Sequence, residues 1–82
     1  MEALLSKLSE FSENARWIRE NYEKLKRSFR DEWVAVYGRR VVDYDKDLAR
    51  LVERLRRSYG KDYGKIAIEF IASKEIELVL EG

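Results

Sequence analysis

Three acids at alternate positions, Asp43, Asp45 and Asp47, are the best-spaced candidates in this chain for holding a cation. An EF-hand loop begins with such alternation but then requires glycine at position 48 and glutamate at position 54. The chain has Leu48 and Arg54 there. The acids therefore read as the opening of a helix, with Asp45 as N-cap and Asp47 in the positive first turn. No metal or cofactor site is expected.

The second constellation is basic. Lys46, Arg50, Arg54, Arg57 and Lys61 recur at spacings of 4, 4, 3 and 4, on the helix face away from its apolar stripe. Arg39 and Arg40 extend the patch, with Tyr37 and Tyr44 nearby as stacking aromatics. Phosphate contact by such a stripe is one reading. The favoured one is a solvated face whose arginines pair with local acids, because a nucleic-acid domain usually carries a larger basic excess.

Catalysis finds little else to use. With no histidine and no cysteine, the chain lacks the commonest neutral-pH base, thiolate chemistry and disulfides. There is no nucleophile–base pair and no phosphate-cradling glycine loop, so an enzyme is not expected. The start, MEALLSKLSEF, has neither the basic opening nor the apolar block of a secretory signal. No apolar run approaches the roughly 18 residues of a membrane span. The expectation is a soluble, cytoplasmic protein without membrane contact.

Eighty-two residues allow one domain, near the lower limit for a core without staples. Charged residues form 40% of the chain and apolar ones 45%, an ordered composition. Abundant Glu, Lys and Arg, no glutamine and a single methionine fit a thermophile that relies on ion-pair networks. The net charge of +1 hides a segregation: positions 16–65 hold 15 basic and 9 acidic residues, the two ends 2 and 7. A basic middle with acidic ends favours head-to-tail contacts or a polyanion.

The elements that must position these groups begin with a long helix. Leu4, Leu8, Phe11, Ala15, Ile18, Tyr22, Leu25 and Phe29 are spaced 4, 3, 4, 3, 4, 3, 4, a heptad seam with no Gly or Pro between positions 2 and 29. Such a helix would run roughly 40 Å, longer than the rest of the chain can cover. A break near Ser12-Glu13-Asn14 is one way to shorten it. Glu20 with Lys24 and Glu23 with Arg27 lie at i,i+4 on its outer faces. Ile18, Tyr22, Leu25 and Phe29 are assigned to the internal core. Leu4, Leu8, Phe11 and Ala15, with Trp17 at the seam's edge, are assigned to an interface.

Two β-rich runs around Gly38, Trp33 to Tyr37 and Arg40 to Asp43, read as a hairpin turning at Tyr37-Gly38 or Gly38-Arg39. Either turn puts Val34, Val36 and Val41 on one face and Trp33, Ala35 and Val42 on the other. Leu48, Leu51, Val52, Leu55 and Tyr59 form the core stripe of the next helix, closed by Gly60. Ile66, Ile68 and Phe70 then alternate as a half-buried strand. Ser73 to Leu80, with Ile76, Leu78 and Leu80 alternating, reads as a fourth strand rather than a helix. The expected class is α+β, a helix–strand–strand–helix–strand order. Its antiparallel sheet has the first strand central and is covered on one face by both helices.

From Trp33 to Leu51 the run W-V-A-V-x-G-x-x-V-V-x-x-x-x-D-L-x-x-L resembles a small archaeal and bacterial family known only as a domain of unknown function. Asn21 to Leu25 and the strand from Lys65 are similar too, so the likeness spans about residues 18 to 71, and residues 1–17 stand outside it as an extension. Family members more usually carry Asn or Asp before the turn glycine, where this chain has Tyr37. The resemblance implies no activity and no catalytic residues. The reading is of a protein that acts through protein–protein contact, with itself as a homodimer or with another protein; the alternative is a nucleic-acid-binding accessory.

Overall fold

The computed structural model describes residues 2–72, with side-chain burial from residue 8 onward. The expected fourth strand, Ser73 to Leu80, lies outside the described residues. Helix α1 (Glu2–Glu20) and helix α2 (Tyr22–Ser28) lead into strands β1 (Glu32–Val36) and β2 (Val41–Asp45). Helix α3 (Leu48–Tyr59), a 3₁₀ segment (Gly60–Lys65) and strand β3 (Ala67–Ile71) follow. The class and element order are those expected, α+β with three antiparallel-paired strands in the order β2-β1-β3.

The long helix breaks, but at Asn21 rather than at Ser12-Glu13-Asn14. The Asn21 side-chain amide donates to the Trp17 carbonyl oxygen at 2.9 Å, as does its backbone N–H at 3.0 Å. An asparagine bonded back onto the preceding turn competes with helix propagation, and Asn21 sits at φ −112°, ψ 16°, between the helical and extended regions. Beyond the break, Glu23 pairs with Lys26 at 3.6 Å rather than with Arg27.

The hairpin turns at Gly38-Arg39. Both have positive φ, 67° and 62°, as a two-residue type I′ turn demands, and the Tyr37 N–H donates to the Arg40 carbonyl oxygen at 3.0 Å. A bulge between Ala35 and Val36 shifts the pairing, so Val36 faces Val41 while Ala35 faces Asp43. On the other edge of β1, Trp33 lies opposite Phe70 and Ala35 opposite Ile68.

The helices do not share a face. Val34 and Val36 pack with Ile18, Leu25, Ala67 and Ile71, and with the partly buried Ala15, Trp17, Tyr22, Phe29 and Val41. Ala35 packs instead with Leu51, Leu55 and Ile66, joined by Trp33, Tyr37, Val42, Tyr59, Tyr63 and Ile68. Successive strand residues point to opposite faces, so α1 and α2 cover one side of the sheet and α3 the other. The expected two layers are three. The reason is β1 itself: Val34, Ala35 and Val36 are all fully buried, and a strand with no polar alternate position needs cover on both faces.

Candidate interaction surface

Asp45 and Arg54 fix how α3 meets the sheet. Asp43 and Asp45 lie on the face of β2 toward α3, opposite Ala35 and Trp33. Arg54 donates through Nε and Nη2 to Asp43 at 3.0 Å each, through Nη1 to Asp45 at 2.8 Å, and through Nη2 to the Tyr44 carbonyl oxygen at 3.1 Å. Arg50 adds ion pairs to Asp45 and Asp47 at 3.5 and 3.8 Å. The space between the acids that sequence suggested for a cation is filled by a guanidinium. Among the described residues no cluster of His, Cys, Asp or Glu is arranged to hold a metal.

This network also moves the helix start. Asp45 belongs to β2 and accepts the Asp47 N–H at 2.8 Å, so Asp47, not Asp45, is the N-cap and accepts the Arg50 N–H at 3.2 Å. That backbone bond, reinforced by the Arg54 hydrogen bond and the charge of Arg50, holds the Asp45 carboxyl below the ordinary aspartate range, against the opposing effect of burial. The two acids raise Arg54 in turn.

The basic stripe is therefore partly spent. Arg54 and Arg50 bind carboxylates of their own chain, and Arg57 pairs with Glu53 at 3.2 Å. Arg39 reaches Glu13 at 3.8 Å while staying 69% exposed. Arg40, Lys46 and Lys61 are exposed. The aromatics proposed to stack on bases have ring partners already: Tyr37 against Tyr59 at 5.3 Å and Tyr44 against Phe29 at 5.0 Å.

The apolar candidates divide just as clearly. Leu8 is 54% exposed and Phe11 42%, on the part of α1 that precedes its contact with the sheet. The Leu4 side chain lies outside the described residues. Ala15 and Trp17 are half-buried against the core of their own chain, a correction to their assignment as interface. Trp17 also floors a small concavity of about 200 Å³ rimmed by Glu13, Arg16, Glu20 and Arg39.

Two features escape a reading of the sequence. Asn14 is not a helix breaker but a pin, 3% exposed. Its amide donates to the Lys65 carbonyl oxygen at 2.8 Å, and its carbonyl oxygen accepts the Arg39 N–H at 3.0 Å. Beside it Lys65 pairs with Glu10 and Asp62, each at 3.4 Å. Burial alone would lower Lys65, but these two carboxylates override it and hold the amine above its ordinary value. The other feature is on α3: Leu51 and Leu55 of its stripe are buried, while Leu48 is 37% exposed. Leu48, Ala49 and Val52 line an open, mainly apolar groove of about 510 Å³ bordered by Glu53 and Arg56.

Fold and surfaces together define a small three-layer α+β domain whose first helix carries exposed apolar side chains beyond the sheet. Residues 24–74 match a family of unknown function (DUF5678), and the chain belongs to that family. The match takes in the Trp33 to Leu51 segment and leaves α1 outside it. Comparison with curated proteins and with solved structures gives no match. No helix among the described residues is long and apolar enough to cross a membrane.

Proposed function

We propose that this protein acts through protein–protein contact, associating with a second copy of itself through the outer half of α1. The observation that carries the reading is the exposure of Leu8 and Phe11 together on a helix that packs into its own core from Ala15 to Ile18. Large apolar side chains grouped on a surface are where association takes its energy. The reading assigns the chain no reaction. A nucleic-acid role has weaker support, since Arg50 and Arg54 are already paired with Asp43, Asp45 and Asp47 of their own chain.

Light scattering on a sizing column tests the proposal. The chain has a mass of 9.8 kDa, and at about 50 µM, enough to populate a micromolar complex, a mass of twice that is expected. Phe11→Asp should return the protein to one chain length. A wild-type protein that elutes as a monomer at that concentration overturns the reading.

A further inference from the structure

We infer that the outer edge of β3 is a strand-docking edge whose occupant is the chain's own residues 73–82, with Leu78 set beside Phe70 and Leu80 beside Ile68. The inference is independent of the self-association reading and gives the expected fourth strand its place and its register. The two outer strands of the sheet are not alike. β2 meets β1 in a register broken by a bulge and carries Asp43 and Asp45, devices that discourage a further strand. β3 pairs with β1 without a slip from Ala67 to Ile71 and has one charge, Glu69. The Asp31 N–H donates to the Ile71 carbonyl oxygen at 2.7 Å, so Ile71 turns its backbone groups toward β1. By alternation along the strand, Ile68 and Phe70 turn theirs outward, where no strand lies among the described residues.

The side chains at that edge decide which register fits. Phe70 lies opposite Trp33, with ring centroids 5.2 Å apart, and is 38% exposed. Ile68 is half-buried on the same face, which α3 leaves open at β3 because it packs over β2. Glu69, on the face toward α1, is exposed. The edge is therefore apolar on one face and acidic on the other. Residues 75–81 read Glu, Ile, Glu, Leu, Val, Leu, Glu, the same division at the period of a half-buried strand. Leu78 opposite Phe70 brings Leu80 opposite Ile68 and Val79 opposite Glu69, so no acid faces an acid. A slip of one residue sets Glu77 against Phe70 and Leu78 against Glu69, with every side chain on the wrong face.

Reach agrees with this placement. The Tyr22 hydroxyl accepts the Ala72 N–H at 3.0 Å and marks where the chain leaves β3. Five residues of extended chain, 76–80, span about 17 Å, the length of the five-residue β3. A second copy's β3 fits the edge less well. Pairing Ile68 with the other copy's Phe70 sets Glu69 directly opposite its own counterpart, like charges at the closest cross-strand position.

The chain has no cysteine, so introduced pairs report proximity without background. In the inferred register positions 69 and 79 form a non-hydrogen-bonded pair, with Cα atoms about 4.5 Å apart, within the span of a disulfide. In the full chain, Glu69→Cys combined with Val79→Cys should oxidise to an intramolecular bond in most molecules, seen as faster migration on a non-reducing gel that reductant reverses. Glu69→Cys combined with Leu78→Cys should not, because adjacent residues point to opposite faces. In the unsubstituted chain, the Ile68 and Phe70 amides should exchange hydrogen at least about a hundredfold more slowly than in an unfolded peptide, a readout that no substitution can disturb. Failure of the 69–79 bond, a 69–78 bond in its place, a disulfide joining two chains, or exchange at peptide rates each overturns the inference.

Discussion

Asn14 and Lys65 stand 51 residues apart in the chain, and the side-chain amide of the first donates to the backbone carbonyl oxygen of the second at 2.8 Å. The same side chain accepts the Arg39 N–H, so one residue of α1 ties down both the hairpin tip and the end of the 3₁₀ segment. Leucine has nearly the same volume but offers neither donor nor acceptor. Asn14→Leu strands two part-buried backbone groups, with an expected loss of about 1–3 kcal/mol. Urea unfolding checks it: the midpoint should fall with the slope unchanged.

What made Asn14 hard to read is that asparagine has two opposite uses in a helix. As a competitor for backbone bonds it ends the helix, which is what Asn21 does; as a bridge to distant backbone it must stay inside one. Spacing along the chain does not distinguish these, because the partners at 39 and 65 are far away in sequence. The layering, by contrast, was legible and misjudged. Trp33-Val34-Ala35-Val36 is continuously apolar, the mark of a strand covered on both faces, yet both helices were expected on one. Central β1, the residues sharing each of its faces, and Gly60 at the end of α3 were readable from period and turn chemistry alone. The groove on α3 was not, since Leu48 and Val52 fit the core stripe by spacing, yet Leu48 is 37% exposed and Val52 only half-buried.

Acid should unfold this protein partly through Asp45. Its carboxyl is held below the ordinary value of 3.8 in the folded state. The stabilisation is therefore complete above that value and lost as pH falls through the depressed one. Lys65 behaves in the reverse sense: its contribution is full below 10.5 and lost as pH rises through its raised value. With no histidine in the chain, stability should be nearly flat between these limits. Denaturant midpoints at pH 7, 4 and 3 should show a shallower acid limb for Asp45→Asn than for wild type; parallel limbs would contradict the assignment.

Arg39 holds a backbone conformation that suits glycine. Its φ of 62° costs a residue with a Cβ about 1 kcal/mol, while its side chain contributes only a loose, exposed ion pair to Glu13 at 3.8 Å, worth little in water. The Asn14 bond is made by the Arg39 backbone N–H and survives the substitution. Arg39→Gly should therefore raise stability, by up to about 1 kcal/mol. A lower melting temperature would mean the guanidinium matters more than the geometry indicates.

Two cores on opposite faces of one sheet make a sharper prediction. Ile18 lies among the side chains beneath α1, and Ile66 among those beneath α3. Removing one methyl group from either, as Ile18→Val or Ile66→Val, should cost about 0.5–1.5 kcal/mol. The two residues share no buried neighbour, so the double variant should lose the sum of the single losses to within about 0.5 kcal/mol. A single core with both helices on one face would couple them. Leu51→Asp belongs to the same logic, since it places an unpaired charge at a fully buried position and should abolish folding. Phe11→Asp, at a position 42% exposed, should change the mass of the particle and leave its unfolding midpoint at low concentration where it was. Circular dichroism melts beside light scattering separate the two effects: if Phe11→Asp unfolds the chain, the outer half of α1 is core rather than contact surface.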